Sequence, residues 1–282
     1  MNKSDLQAAF QAAGLARLTK DIDALAKWSI RLTTTPVDQT TLATGVSKFG
    51  GMPDVPADFA WPEWKGLPQS FIAQIRLEEI HPYDVDGVLP TQGLLWFFYD
   101  AQQQTYGADP ADKGGWRILF AKQPPNLQRA TPPTTLPTTS QFQACSLSFS
   151  SELTLSLQPH LELTNFDWTD EEQQKYETFI ATFPTPEDRR AIHNRLLGNP
   201  ETLQDDMRLQ CQYVSNGVTD ESDPRAVTLA KDALEWQLLL QVDSDEHAGM
   251  QWANTGLLYY WLKKADMQAC LFDASWLVLQ SE

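Results

Sequence analysis

The chain has 282 residues, of which 42% are hydrophobic and 11% aromatic, enough to bury a large core in one large domain or two closely joined ones. Its 37 Asp and Glu residues outnumber 21 Lys and Arg residues, which gives a formal net charge of −16. This acidity argues against a nucleic-acid partner, because nucleic-acid-binding proteins neutralise phosphates with clustered Lys and Arg. It agrees with simple solubility, or with a basic protein partner that is attracted over long range.

The sequence also indicates a compartment. Cys145, Cys211 and Cys270 are odd in number and far apart, which predicts reduced thiols and neither a disulfide framework nor a zinc site. Residues 1–20 lack the apolar stretch and small-residue cleavage site of a signal peptide. No run approaches the ~20 apolar residues of a membrane helix. We therefore expect a cytoplasmic protein with no membrane association, no cofactor and no bound metal.

The N-terminal region predicts one amphipathic helix that packs on the body of the protein. Ser4 begins a capping-box pattern that ends at Gln7, and apolar residues recur at helical spacing behind it. The residues expected to pack on the body are Leu15, Leu18, Ile22, Leu25 and Trp28.

A proline-rich loop and three strands follow. Four prolines within residues 49–68 exclude a continuous helix and a central strand there, and Trp61 and Trp64 are expected to pin the loop. The Gly50-Gly51 pair is expected to form a tight corner against Trp61. Strands are predicted over residues 70–75, 93–100 and 115–122, the last of which shows the period of two typical of a strand.

Residues 124–140 contain five prolines and five threonines without apolar periodicity, which predicts an extended connector between two halves of the chain. The connector is either a flexible linker or a strap laid over the surface. Behind it, alternating apolar residues predict two antiparallel strands, one around residues 145–149 and one around residues 153–157.

Three helices are predicted in the second half. Capping residues, early acids or early prolines place their starts at Thr169, Thr185 and Asp223. The second is expected to end near Leu197, because Gly198 suits the left-handed position that follows a helix. Strands are expected from Trp236 and over residues 276–280.

Three short signals occur in the same order in both halves. They are a Gly-x-Pro corner, an apolar run that ends in Gln and an aliphatic residue, and a Gly-Leu-Leu-aromatic segment. The first half has them at 51–53, 71–75 and 93–98, and the second half has them at 198–200, 238–242 and 256–261. Because self-similar segments mark a repeated supersecondary unit, we predict a duplication, with repeats at about 45–123 and 186–280 in a single domain over 1–282.

The segments that carry these signals resemble the YwqG-like family of bacterial proteins. The similar residues are Ser-Lys-Phe-Gly-Gly-Met-Pro at 47–53, together with 71–75, 93–100, 197–200, 236–245 and 252–261. The resemblance implies an α+β fold: a mostly antiparallel, β-rich body of two intertwined, pseudo-symmetric repeats with peripheral helices. It implies no activity, since the family has no known function. Members resemble proteins found near secreted bacterial toxins, which suggests an immunity-type role by association alone.

Gln74 and Gln241 are the expected centre of any binding site. The repeat predicts that they occupy equivalent positions near the pseudo-dyad, each late in a mainly apolar strand. A buried Gln needs up to four hydrogen-bond partners. The pair therefore either clamps the backbone of neighbouring loops or forms a polar floor for a ligand.

Two acids close behind Gln241 are further candidates. Alternation along a strand points Asp243 and Asp245 to the same side as Gln241. With a nearby histidine they form the densest group of potential ligands in the chain, although their spacing does not fit an EF-hand loop. A solvated acidic turn is the main interpretation, and an improvised divalent-metal site that includes Asp205 or Asp206 is the alternative.

A histidine and a tryptophan complete the candidate set. His193 is expected on the second predicted helix, where it makes a structural hydrogen bond or acts as a general base. Trp252 is the tryptophan most expected to face a cleft, where it could bind a ring, a sugar or a peptide. Two classes of function stay open: a cytoplasmic binding or immunity-type protein that engages a basic protein partner, and an enzyme that acts on a small polar substrate in an acidic cleft around Asp243 and Asp245, with or without a metal.

Overall fold

The computed structural model describes residues 1–124 and 126–281. Within these residues the chain forms one antiparallel sheet of ten strands, two small two-stranded sheets and eight α-helices. The fold is therefore α+β, as the resemblance implies, and its main body is antiparallel. None of the helices in the described ranges is long and apolar enough to cross a membrane.

The bounds of the elements are as follows. The strands are β1 (Ala26–Pro36), β2 (Lys48–Phe49), β3 (Asp54–Val55), β4 (Glu63–Trp64), β5 (Leu67–Pro68), β6 (Ser70–Arg76), β7 (Leu94–Tyr99), β8 (Trp116–Ala121), β9 (Gln128–Arg129), β10 (Cys145–Leu155), β11 (Arg195–Leu197), β12 (Trp236–Asp243), β13 (Gly256–Lys263) and β14 (Trp276–Ser281). The helices are α1 (Lys3–Ala12), α2 (Ile22–Leu25), α3 (Leu77–Ile80), α4 (Pro159–Glu162), α5 (Asp170–Ile180), α6 (Met207–Ser215), α7 (Ala226–Leu229) and α8 (Lys264–Gln268).

The ten strands are arranged symmetrically about a central pair. The order across the sheet is β14-β13-β12-β11-β1-β10-β2-β6-β7-β8. Outward from β1 and β10, each side therefore has a short strand followed by three longer ones in chain order. The third strand from each edge also carries an irregularity at the same place, between Phe71 and Ala73 in β6 and between Leu238 and Leu240 in β12.

The two outer strands of the sheet contact each other, because the sheet curls around the core. Trp116 on β8 and Trp276 on β14 are in edge-to-face contact, with ring centroids 5.0 Å apart. Phe97 and Tyr260, on the neighbouring strands β7 and β13, are 5.2 Å apart. One large hydrophobic cluster therefore contains residues of both halves.

The N-terminal region packs as expected, but it is not one helix. α1 begins at an Asn2 cap instead of at Ser4, and it ends at Ala12. Gly14 ends the helical path because its φ of 75° is left-handed. A short 3₁₀ segment and α2 follow, and Trp28 already lies in β1. The residues Leu15, Leu18, Ile22, Leu25 and Trp28 nevertheless all pack in one hydrophobic cluster with α5.

The strands predicted in the first half are confirmed as β6, β7 and β8, and the last predicted strand is β14. The two strands predicted over 145–157 are wrong, because β10 is a single strand. Its apolar residues from Cys145 to Leu155 all fall on alternate positions of the same phase, so a single uninterrupted pairing register accommodates them. Over this whole length β10 pairs with β1, from Cys145 opposite Pro36 to Leu155 opposite Ala26.

The helices of the second half are only partly as predicted. α5 starts at the predicted capping box of Thr169, and the third predicted helix is divided between α7 and a 3₁₀ segment. The helix predicted from Thr185 to Leu197 is wrong: a single 3₁₀ turn forms at Asp188–Arg190, and Leu197 belongs to β11. β11 pairs with a strand on each side, and this pairing outweighs the local helix-start signal. The sequence reading missed α6.

The predicted connector lies against the protein over part of its described length, residues 124 and 126–140. Its residues Gln128 and Arg129 form β9, which pairs with β3. Further along, Leu136 is buried, and Ser140 donates a hydrogen bond to the carbonyl of Ala101 at 2.7 Å. At these residues the connector is therefore a strap laid over the surface.

Candidate functional site

Gln74 holds the first Gly-x-Pro corner in place. Its side chain is fully buried in β6. The side-chain oxygen accepts a hydrogen bond from the backbone N–H of Asp54 at 2.8 Å, and the amide group donates to the carbonyl of Val46 at 2.6 Å. Asp54 is the residue that follows the corner proline, Pro53. Gln74 is therefore a clamp on loop backbone.

Gln241 makes the same contacts at the second corner. Its side-chain oxygen accepts from the backbone N–H of Glu201 at 2.9 Å, and its amide group donates to the carbonyl of His193 at 2.6 Å. Glu201 follows Pro200 as Asp54 follows Pro53 in the first corner. The two glutamines do not lie side by side, because β2, β10, β1 and β11 separate their strands in the sheet. Each one serves its own corner.

A buried ion pair accompanies each clamp. The ammonium nitrogen of Lys48 on β2 lies 2.9 Å from a carboxylate oxygen of Asp54, and both side chains are fully buried. A guanidinium nitrogen of Arg195 on β11 lies 3.3 Å from a carboxylate oxygen of Glu201, and both of these side chains are also largely buried. Lys48 lies opposite Gln74 in the sheet as Arg195 lies opposite Gln241. The two corners thus share a clamp, a cation and an acid.

The pKa values of the two acids follow from these contacts. Burial by itself favours the protonated form of Asp54, but the Gly45 N–H and the Lys48 ammonium outweigh it and lower the pKa of Asp54 below its ordinary value. The same balance, with Arg195 as the main opposing group, lowers the pKa of Glu201. Burial lowers the pKa of Lys48. Both acids are therefore held in their ionised form beside a largely buried cation.

The glycines of the first corner pack on a different segment from the one expected. Gly50 and Gly51 have φ values of 56° and 68°, which suit glycine. A side-chain carbon added to Gly50 would lie 2.2 Å from the carbonyl oxygen of Gln143, and one added to Gly51 would lie 2.8 Å from Ala144. The corner therefore rests on the residues just before β10, and the expectation of a corner against Trp61 is wrong. At the second corner, Leu197 takes the position of Gly50 with φ 60°.

His193 and Asp243 contact each other at the second corner, and the contact is made by the backbone N–H of His193. His193 lies in the loop before β11, so its predicted place on a helix is wrong. Its ring nitrogen Nε2 is 2.8 Å from the carbonyl oxygen of Asp188, and its backbone N–H donates to the Asp243 carboxylate at 2.8 Å. Burial lowers the pKa of His193 and raises the pKa of Asp243. Both side chains are engaged in holding the loop.

Asp245 is buried, so the expectation of a solvated acidic turn is wrong at this residue. Its carboxylate accepts hydrogen bonds from the Thr34 hydroxyl at 2.7 Å, from the Asn194 amide at 2.8 Å and from the backbone N–H of His247 at 2.9 Å. Three donors replace the water that the carboxylate loses on burial. The sequence could not show this, because Thr34 and Asn194 are remote along the chain.

Trp252 does not face a cleft. It is fully buried, with its ring in edge-to-face contact with Tyr99 and Phe142 at centroid distances of 5.9 and 5.6 Å. Its indole N–H donates to the carbonyl of Asp243 at 3.1 Å. Trp252 is therefore a core residue that fastens the end of β12.

Asp205 and Asp206 do not join Asp243 and Asp245. Asp206 caps α6 and binds the Arg208 guanidinium, and Asp205 accepts a hydrogen bond from Gln280 through its carbonyl. Over residues 1–124 and 126–281, no group of three or more His, Cys, Asp and Glu side chains is placed to hold a metal ion.

The second corner borders a cleft of about 400 Å³ that the sequence reading missed. Its walls are aromatic and charged, and they include the corner itself, 198–200, and the tryptophans Trp28, Trp236 and Trp261. The charged residues of the cleft are Lys27, Asp86, Glu162, Asp206, Arg208 and Lys264. The sequence held one signal for this cleft, because the second Gly-x-Pro corner lies directly before an acidic segment. In the folded protein the corner lies close to Trp236, the first residue of β12.

Among the cations that line this cleft, Lys27 is less tightly paired than Arg208. Arg208 binds Glu162 and Asp206, each at 2.7 Å. Lys27 reaches only Glu162, at 3.9 Å, and its side chain is 38% exposed. Burial lowers the pKa of Lys27, because few groups compensate its charge. The ammonium group of Lys27 is thus available to an acceptor that enters the cleft.

The cleft continues into a wider groove along α6. This groove, of about 790 Å³, shares Gln158, Asp206 and Arg208 with the cleft. Its floor is apolar where Leu209, Val214, Val218 and Ala233 line it, and Leu234 on its rim is 53% exposed. Asp205 and Glu221 place exposed negative charge beside it.

Comparison with known proteins gives a family without a known activity. No curated protein matches the chain. Residues 47–281 match the family described as a domain of unknown function (DUF1963), and this range includes both corners, both clamp glutamines and the cleft residues other than Lys27 and Trp28. The chain therefore belongs to the DUF1963 family.

Proposed function

We propose that this protein binds a partner protein and that the cleft and the adjoining groove form its binding surface. One observation carries the proposal: the aromatic cleft opens into a groove that combines an apolar floor, the exposed Leu234 and exposed acids. Protein-binding surfaces have this combination of apolar centre and polar rim. In contrast, Gln74, Gln241, His193 and Asp243, which the sequence indicates as candidate site residues, make hydrogen bonds to the backbone of loops.

The charge of the chain supports a basic partner. A net charge of −16 attracts a basic protein over long range and speeds its encounter with the surface. An immunity-type role in the cytoplasm, with a secreted bacterial toxin as the partner, is the more specific form of the proposal. Its support is the resemblance to the YwqG-like family, together with this charge.

The experiment compares two variants at equally exposed leucines. Leu234, 53% exposed, lies in the groove, and Leu271, 55% exposed, does not line the groove or the cleft. The immobilised wild type is tested against the purified products of neighbouring genes. The expected result is retention of one basic protein by the wild type and by Leu271→Arg, with loss of binding by Leu234→Arg and at 0.5 M salt, where attraction between exposed charges is screened to about 4 Å.

Two results would count against this function. If Leu234→Arg and Leu271→Arg retain a bound partner equally well, the groove is not the binding surface. If the retained protein is acidic and its binding does not change with salt concentration, the charge argument is wrong.

A further inference from the structure

Lys27 differs from two other lysines of lowered pKa, Lys48 and Lys113, in what its side-chain nitrogen contacts. The Nζ of Lys48 lies 2.9 Å from a fully buried carboxylate, and Lys113 donates hydrogen bonds to two backbone carbonyls at 2.9 and 2.8 Å. Among the described residues, no group accepts a hydrogen bond from the Nζ of Lys27, and the nearest carboxylate oxygen, on Glu162, is 3.9 Å away. The nitrogen of Lys27 is therefore free to react with a molecule that lies beside it.

The cleft at the second corner gives such a molecule access to Lys27. The Lys27 side chain is 38% exposed and lines the cleft of about 400 Å³. Trp236 and Trp261 are buried and make a rigid wall, whereas Gln158 and Gln237 are partly exposed and contribute open, polar surface. Sites for small molecules have volumes of about 300 to 1,000 Å³. The cleft is thus large enough for a small molecule that reaches the Lys27 nitrogen.

The surroundings of this nitrogen favour the neutral amine. Burial is the main cause of the lowered pKa of Lys27, and the Arg208 guanidinium lowers this pKa further. The carboxylates of Glu162 and Asp206 act in the opposite direction and do not outweigh these two effects. A lysine that loses solvent beside a second cation is a nucleophile near neutral pH, because only the neutral amine has a lone pair to donate.

We propose that Lys27 condenses with the carbonyl group of a small aldehyde or ketone in the cleft and forms a Schiff base. The nitrogen adds to the carbonyl carbon, a C–N bond forms, and one proton of the amine passes to the former carbonyl oxygen. The C–O bond then breaks, the second proton leaves the nitrogen with the oxygen as water, and a C=N double bond remains. This activity goes beyond the proposed function and needs no partner protein.

Reductive trapping with glyoxylate, a small aldehyde, tests the proposal on the full-length wild type. Sodium cyanoborohydride adds hydride to the carbon of the Schiff base and leaves a stable secondary amine, which peptide mass spectrometry assigns to a residue. At pH 7 Lys27 should be modified at least tenfold faster than the exposed Lys20 and Lys231. This preference should shrink towards pH 10, because exposed lysines lose their proton near an ordinary pKa of about 10.4.

Two pairs of variants test the residue and the cleft. Lys27→Arg keeps the charge but cannot form a Schiff base, so the fast modification should disappear, whereas Lys264→Arg, at an exposed residue of the same cleft, should keep it. Gln237→Trp should fill the cleft and slow the modification of Lys27 at least tenfold, whereas Gln251→Trp, at an exposed residue outside the cleft, should not. Circular dichroism and thermal unfolding establish that each variant folds.

Three outcomes would overturn the inference. In the first, the wild type modifies Lys27 no faster than Lys20 and Lys231. In the second, Lys113, whose pKa burial lowers to about 8, is modified before Lys27, which would show that a low pKa and not the cleft directs the reaction. In the third, folded Gln237→Trp modifies Lys27 as fast as the wild type does. No partner protein enters these measurements, so their failure leaves the proposed function as it stands, and the failure of partner binding leaves this inference as it stands.

Discussion

Gln74 and Gln241 each accept a hydrogen bond from the backbone N–H of the residue that follows a corner proline, at 2.8 Å and 2.9 Å. Each also donates to a loop carbonyl at 2.6 Å. Both side chains are fully buried, so water cannot replace either bond. The two corners therefore depend on one glutamine each, and the proposed binding cleft adjoins the corner that Gln241 holds.

We predict that Gln241→Leu destabilises the protein by about 2 to 4 kcal/mol. Leucine has a similar size but leaves the N–H of Glu201 and the carbonyl of His193 buried and unpaired, at roughly 1–3 kcal/mol for each group. Urea unfolding of the variant and the wild type measures the difference. Gln74→Leu should cost a similar amount at the first corner.

The matched control is Gln251→Leu, because Gln251 is exposed. Its effect should stay within about 0.5 kcal/mol, as for most surface substitutions. A change of less than 1 kcal/mol for both Gln74→Leu and Gln241→Leu would show that the clamps do not hold the corners.

We predict that Asp54→Asn costs about 3 to 5 kcal/mol at pH 7, because it leaves the buried Lys48 ammonium without its counter-charge. The pKa of Asp54 is lowered in the folded state, so its ionised form stabilises the protein above its unfolded pKa of about 4. This contribution is lost as the pH falls below about 4 towards the lowered pKa.

The measurement is the difference in unfolding free energy between the wild type and Asp54→Asn at pH 7 and at pH 3. The difference should shrink at pH 3, because Asp54 of the unfolded chain binds a proton there before Asp54 of the folded protein does. Asp58→Asn, at an exposed residue, should show a small difference at both values. A difference for Asp54→Asn that is equally large at pH 3 would mean that the charge of Asp54 is not what stabilises the corner.

The sequence could predict the parts of this fold that local patterns determine. Strands β6, β7 and β8 follow from alternation and apolar runs, and the start of α5 follows from a capping box at Thr169. β11 could not be predicted in this way, because its three residues become a strand only through pairing with β1 and β12 on either side. A short segment of this kind has no periodicity of its own.

The candidate site shows the same division. The sequence identified Gln74 and Gln241 as residues that need hydrogen-bond partners, because a glutamine buried in an apolar strand must have them, and it offered a structural hydrogen bond for His193. It could not identify those partners, since Asp245 is satisfied by Thr34, which lies 211 residues away along the chain. The cleft was missed for the same reason: its walls come from β1, β12, β13 and α6, which meet only in the folded protein.

We predict that only one of the three thiols reacts readily in the folded protein. Cys145 and Cys211 are buried, and burial raises the pKa of both thiols, that of Cys145 to about 12. The thiolate is the reactive form, so both should be slow at pH 8. Cys270 is partly exposed. Ellman's reagent should therefore give one fast equivalent in the native state and three in urea.

Cys270→Ser identifies the fast thiol. The variant should lose the fast phase and keep two slow thiols, whereas Cys145→Ser should keep it. Fast reaction of two or more thiols in the native wild type would contradict the packing around Cys145 and Cys211.

We predict that His193 contributes a loss of stability between pH 7 and pH 5. Burial lowers the pKa of His193 below its ordinary value near 6.5, so the unfolded chain binds a proton at a higher pH than the folded protein does. Stability from the neutral imidazole is therefore complete above about pH 6.5 and falls as the pH drops towards the lowered pKa. His193→Gln keeps a side chain that can reach the carbonyl of Asp188 without titrating. Its unfolding free energy should fall less between pH 7 and pH 5 than that of the wild type, and a steeper fall would contradict the prediction.

NMR titration of the His193 ring measures the pKa of the folded protein directly. A pKa at or above 6.5 would contradict the prediction, because it would show that the charged imidazole gains a stabilising partner. Glu201, 3.4 Å from Nδ1, would then outweigh burial.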